Sequence, residues 1–240
     1  MCTLSWLRHD RGFAVYFNRD ERRTRSIGLP PEEQMRDGVR FLAPIDPDGG
    51  GSWALVNDRR VALCILNQYD KERGPVAGQV SRGRLLLDLA HHTSQAEVWN
   101  AVKRAGLLQY APFRLGVFEP GLPALLLSWD GGRLTDETEG VSGLLAASSS
   151  LVQREAEESR RKLFAATLME GMANEDTFYR LHQSHVPAKG ALSVCMHRED
   201  AVTVSLTRLV VEASSVTLGY VMGSPCEGAP EIVRVLEARG

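Results

Sequence analysis

Short apolar runs, paired across tight turn signals at both ends of the chain with helical patterns only between them, constrain this sequence more than any other feature. "CTLSWLRH" and "FAVYFN" are separated by Asp10-Arg11-Gly12, and "SWALVNDRRVALCILNQ" folds back at Asn57-Asp58. Aromatic and β-branched runs bounded by turn formers read as antiparallel hairpins. Further strands are expected at "FRLGVFE" and at "PALLLSWD", the latter turning through Asp130-Gly131-Gly132 into Arg133-Leu134. The C-terminal strands are expected at "ALSVCMH", "AVTVSLTRLVVE" and "SVTLGYVMG". "RGRLLLDLAHH" and "SQAEVWNAVKRAG" read as helices, the second opened by a Ser94/Glu97 capping box and stopped at Gly106. A long helix is expected from near Ser150, with Val152, Ala156, Leu163, Ala166 and Ala173 on its apolar stripe, followed by a short one in "EDTFYRLHQSH". "GLPPEEQMRDGVRFLAPIDPDGGG" reads as a long surface loop with one short helix, able to serve as a lid. Hairpins in place of strand-helix-strand units disfavour a Rossmann-type fold and give a layered α+β architecture of antiparallel sheets, in one domain spanning residues 1–240.

Composition excludes several classes of function. A formal charge of -2 gives no general attraction to nucleic acid or anionic membrane. The basic runs "RDERRTR" and "ESRRKLF" read as solvated faces. No apolar run is long enough to span a bilayer, and "MCTLSWLRHDR" lacks the pattern of a signal peptide, so a cytoplasmic location is expected. Cys2, Cys64, Cys195 and Cys226 are widely scattered, without the close sequence pairs of a structural zinc or redox motif. Cys64 lies inside an apolar strand and reads as a buried small hydrophobe.

Cys2 is different, because removal of Met1 would place a thiol and a free α-amine on one residue. An amine serving its own side chain is a recognised route to an activated nucleophile. With Asp10-Arg11-Gly12 as the loop, His9 pairs with Phe13 and Cys2 falls opposite Asp20. Asp20 would then orient the amine, while Arg19 would stabilise a thiolate or an acyl intermediate. Regular pleating sets Arg19 on the other face, so both reach the thiol only where the strand bulges or ends. Asn18 and Asn67, at strand ends, are candidates to donate to an oxyanion. Spacing alone does not decide between a nucleophile centre and a surface turn beside an incidental cysteine.

The segments "MCTLSW", "FNRDERRTR", "GGGSWALVN", "LNQYD" and "SRGRLLLDL", in this order, resemble the NRDE family, whose eukaryotic branch is called transport and Golgi organisation protein 2. The family is named for the four residues at Asn18-Arg19-Asp20-Glu21, and the resemblance is strongest over residues 1–90. It implies an N-terminal nucleophile hydrolase-like fold: a four-layer αββα sandwich of two antiparallel sheets between helical layers. By similarity to bile-salt hydrolases and penicillin V acylases of that fold, Cys2 would be the nucleophile, Arg19 and Asp20 its supporting pair and Asn67 an oxyanion donor. Asn18 and Arg82 would contribute to substrate binding, Arg82 alternatively anchoring a loop. The Arg-to-Asp spacing is tighter than in those acylases, and "AASSS" stands where many relatives carry Gly-Leu-Ser-Asn. The resemblance implies a cysteine hydrolase of a small non-peptide amide that needs no cofactor. The alternative it carries is a non-enzymatic haem or acyl-chain trafficking protein, although no CxxCH attachment site is present.

No phosphate loop, GxSxG elbow or HExxH motif occurs. His182 and His185 have helical spacing without a visible third ligand and read as surface residues, and no metal is expected. His197 receives no role. Trp6, Trp53, Trp99 and Trp129 are expected in the core or at its rim.

Overall fold

A computed structural model describes residues 2–68, 80–147, 153–169 and 173–239. Six antiparallel strands form one sheet: β1 (Cys2–His9), β2 (Gly12–Arg22), β10 (Ser142–Ala147), β11 (Ala201–Val211), β12 (Ser215–Met222) and β13 (Glu231–Glu237), in the order β10-β1-β2-β11-β12-β13. Seven form the other, in chain order: β3 (Leu29–Arg36), β4 (Val39–Ile45), β5 (Ala54–Asn57), β6 (Ala62–Asn67), β7 (Phe113–Phe118), β8 (Ala124–Trp129) and β9 (Leu134–Glu139). Their facing sides enclose a core that includes Leu4, Trp6, Phe13, Val15 and Phe17 from the first sheet and Leu42, Val56, Cys64, Leu66 and Leu126 from the second. Fully burying such a side chain stabilises by about 1.5–3 kcal/mol.

The outer faces are covered by helices. α1 (Arg82–Asp88) and α2 (Gln95–Arg104) pack Leu85, Leu86, Val98 and Val102 against Leu55, Leu63, Phe113 and Leu115. Ser94 caps α2 by accepting from the Glu97 amide, and Glu97 accepts from Thr93, closing the box one residue earlier than expected. α3 (Gln153–Met169) and α4 (Glu175–Gln183) bury Phe164, Phe178 and Leu181 against Ala14, Tyr16 and Leu206. The αββα sandwich is therefore present, and Cys64 sits fully buried in its centre. Among the described residues no helix is long and apolar enough to cross a membrane.

Several expectations need correction. The first hairpin turns through Asp10-Arg11 alone: His9 pairs with Gly12, and Cys2 faces Arg19, not Asp20. Gly12 belongs to the strand because a Cβ there would lie 1.8 Å from the Val211 carbonyl oxygen of β11, so the sheet selects a bare backbone. The expected lid loop is instead the β3/β4 hairpin, turning at Asp37-Gly38 with φ of 48° and 80°. Positive φ at both central positions is the twist-matched hairpin turn that Asp-Gly favours.

"ALSVCMH" forms no strand; its extended end makes only an isolated bridge from His197 to Val202. β10 and β13 arise from segments not expected to be strands. In α3 the fully or nearly fully buried row is Ala156, Arg160 and Phe164, spaced four apart, whereas Ala166 is exposed and Ala173 lies beyond the helix. Val152 lies outside the described residues.

Candidate active site

Cys2 begins β1, and the β1/β2 ladder sets it directly across from Arg19 on the side of the sheet that faces the second sheet. Both open onto a cleft of about 220 Å³ between the sheets. Its walls come from the 46–53 connection (Asp46, Ser52, Trp53), the end of β6 (Ile65, Asn67) and the start of α1 (Ser81, Arg82, Gly83). The Ser52 amide donates to the Gly83 carbonyl at 3.1 Å, drawing those walls together.

Cys2 is 9 % exposed, and burial pushes its thiol up to about 11, with the Asp20 and Glu21 charges acting in the same direction. The Asp20 backbone N–H donates to the sulfur and opposes that rise. Such a thiol is protonated at neutral pH and needs a base at the moment of attack.

Arg19 is nearly buried, with its guanidinium carbon 4.3 Å from the centroid of the Trp53 ring. Trp53 is fixed in turn by donation from Nε1 to Thr207 Oγ1 at 3.0 Å. Arg19 Nη2 lies 3.3 Å from Glu21 and 3.4 Å from Asp46, while Nη1 is buried without a hydrogen-bond partner among the described residues. Arg25 donates from Nη2 to both Asp46 oxygens at 2.8 Å. The cleft floor thus holds paired charges and one buried guanidinium nitrogen without a hydrogen-bond partner among the described residues. The run "RDERRTR" is not a solvated face throughout, since Arg19 and Asp20 are buried and Glu21 and Arg25 line the cleft.

Asp20 projects to the opposite face. Thr203 donates to its Oδ1 at 2.6 Å, and Arg160 Nη2 lies 3.5 Å from its Oδ2. β11 bulges between Thr203 and Ser205, which lets Thr203 meet Asp20 while Ser205 sits opposite Arg19. Arg160 is 1 % exposed and also donates to Thr3 Oγ1 and the Ser193 carbonyl, at 2.7 and 3.1 Å. The "ESRRKLF" run therefore supplies a buried cation that periodicity overlooked, because a charged residue occupies the middle of the buried row.

Asn18 does not reach the cleft. Its buried amide donates to the carbonyls of His182 and Val194, at 2.9 and 3.1 Å, behind the strand. Asn67 and Arg82 both line the cleft, and Arg82 Nη1 donates to the Pro112 carbonyl at 2.8 Å, the loop-anchoring arrangement. His182 is fully buried, not a surface residue: Nε2 lies 2.8 Å from Ser5 Oγ, and burial depresses it to about 3, with Arg160 contributing. Met1 and Ser148–Ser150 of the "AASSS" segment lie outside the described residues.

No protein-family model matches the chain, and no curated protein sequence does. Solved structures do match its fold. An N-acylethanolamine-hydrolyzing acid amidase ortholog from Caenorhabditis elegans aligns with a TM-score of 0.63 at 12 % identity, over 88 % of this chain and 92 % of the other. Conjugated bile acid hydrolase from Clostridium perfringens aligns at 0.60 and 12 %, over 100 % and 97 %. Penicillin V acylase from Agrobacterium tumefaciens aligns at 0.55 and 8 %, over 99 % and 86 %. The fold is that of the N-terminal nucleophile hydrolases, while the NRDE resemblance rests on the sequence motifs alone.

Proposed function

We propose that the chain is a cysteine hydrolase that cleaves a small non-peptide amide through an acyl-enzyme on Cys2. The observation that carries this reading is the direct opposition of Cys2 and Arg19 at the floor of one cleft. The reading requires Met1 to be removed, freeing the α-amine of Cys2. That amine accepts the thiol proton as Sγ attacks the substrate carbonyl carbon. The tetrahedral oxyanion then draws on the Asn67 amide, with Arg19 Nη1 supplying positive charge nearby. Collapse breaks the C–N bond, the ammonium passes its proton to the leaving nitrogen, and a thioester remains. Water, deprotonated by the amine, attacks that thioester; the second collapse releases the carboxylic acid and restores the thiol.

Trp53, Ile65 and Val80 offer an apolar wall for the acyl part, and Arg82 a cation beside it. The fold neighbours are by name an amidase, a hydrolase and an acylase, which favours the same reaction class. No step needs a cofactor.

Intact mass spectrometry of the protein incubated with a panel of acyl amides and activated acyl esters tests the reading. Loss of Met1 and an acyl adduct confined to Cys2, absent in Cys2→Ala, are expected. A free Cys2 that never acylates across the panel would overturn it.

A further inference from the structure

Away from the cleft, four side chains that are distant in sequence bring their donor atoms together: His185, Cys195, His197 and Cys226 each offer one, all within 4.8 Å of one another. Cys195 Sγ lies 3.5 Å and Cys226 Sγ 3.3 Å from His197 Nε2. The edge of a tetrahedron around zinc, with metal–sulfur bonds of about 2.3 Å and metal–nitrogen bonds of about 2.0–2.1 Å, is roughly 3.5 Å between sulfur and nitrogen. The two distances match that edge, and His185 Nε2 is buried without a hydrogen-bond partner among the described residues. We propose that these two cysteines and two histidines bind a structural zinc ion.

Two thiols and two imidazoles suit zinc over calcium or magnesium, which take oxygen ligands. Both cysteines would bind as thiolates, releasing one proton each, and the formal charge of the filled site would be zero. Four protein ligands leave no open position, the mark of a structural site. Haem fits the group poorly, because four donors converging on one point compete with the macrocycle's own nitrogens.

The site's position gives it a purpose. His185 lies just past α4, Cys195 and His197 flank Met196 in the irregular segment before β11, and Cys226 sits in the 3-10 turn Pro225–Glu227 after β12. One ion would fasten all three. The same irregular segment backs the β2 strand: the Val194 carbonyl accepts from Asn18, the Ser193 carbonyl from Arg160, and the Met196 amide donates to the Thr203 hydroxyl that holds Asp20. Paired with β11 only through the isolated His197–Val202 bridge, this segment gains order from zinc and passes it to the rear of the Cys2 hairpin.

The test is metal analysis of tag-free, reduced protein, as isolated and after incubation with zinc or cobalt followed by desalting, beside Cys226→Ser and His185→Gln. About one zinc per chain is expected. Cobalt loading should give the absorption bands of a tetrahedral thiolate site, and both variants should lose the metal while keeping their far-ultraviolet circular dichroism. Wild-type protein that retains neither metal overturns the proposal whatever the variants do. So does zinc retained by both variants.

Discussion

Cys2 and Arg19 are cross-strand partners, one beginning β1 and the other near the end of β2, with both side chains on the face toward the second sheet. Arg19 is held over Trp53 and toward two carboxylates, so its planar group is oriented before any substrate arrives. Arg19→Lys should therefore fail to rescue Arg19→Ala. Each is expected to lower kcat by about 10²–10³ in the proposed acylation, the size seen when one transition-state donor is removed. Steady-state kinetics on the best amide of a panel checks this; a Lys variant of near wild-type kcat would contradict it.

The Cys2 thiol is raised to about 11, chiefly by burial. A raised thiol pKa means the folded state holds the proton more tightly, so its contribution to stability is full below the unfolded value near 9 and is lost as pH rises toward 11. In the chain that carries Met1, iodoacetamide labelling of Cys2 should be slow at neutral pH and climb through the alkaline range. Removal of Met1 should quicken labelling near neutrality, where a free α-amine can take the proton. Peptide mapping of labelled protein at stepped pH reports both rates.

Arg160 and Asp20 form a buried pair behind the strand. Arg160→Met leaves the carboxylate without its cation, a change expected to cost about 3–5 kcal/mol in a urea unfolding series. Adding Asp20→Asn removes the stranded charge and should recover part of that loss, giving a clear coupling in the double-mutant cycle.

His182 is neutral in the fold, depressed to about 3 by burial first and Arg160 second. Once unfolded it titrates near 6.5, so between these values the unfolded chain binds the extra proton. Stability contributed by the neutral ring is present above about 6.5 and falls as pH drops toward 3. Urea midpoints measured from pH 7 down to pH 4 should fall more steeply for wild type than for His182→Gln, by the slope of about one proton.

The alternating runs "CTLSWLRH", "FRLGVFE" and "SVTLGYVMG" carried enough period-two signal to reveal the antiparallel sheets. What stayed hidden depended on contacts between distant segments. Gly12 looks like a turn residue until the Val211 carbonyl is placed beside it. The Asp37-Gly38 turn was readable in principle, but the Pro and acidic residues of "LPPEE" masked a strand whose outer face is solvated. Cys2 was singled out by its place after Met1, Asn67 by its strand end and Arg82 by the resemblance, and all three line the cleft, whereas Arg19 was turned away from it by a register read one residue out. The burial of Arg160 was not legible, since it goes with a carboxylate partner, Asp20, far away in sequence that no local pattern encodes.

β2 is one residue thick, yet it separates two chemical compartments: Arg19 serves the cleft and Asp20 the polar network behind it. Neighbouring positions on this strand are therefore not interchangeable by small shifts. Point substitutions at the exposed Asp10-Arg11 turn leave the alternation untouched. A one-residue insertion or deletion between Gly12 and Arg19 would turn Arg19 to the rear face and set Asn18 or Asp20, respectively, opposite the thiol. The Asp10-Arg11 turn is thus permissive to changes of letter while the hairpin is intolerant of changes of length, and libraries built to diversify this protein should vary residues at that turn without altering spacing.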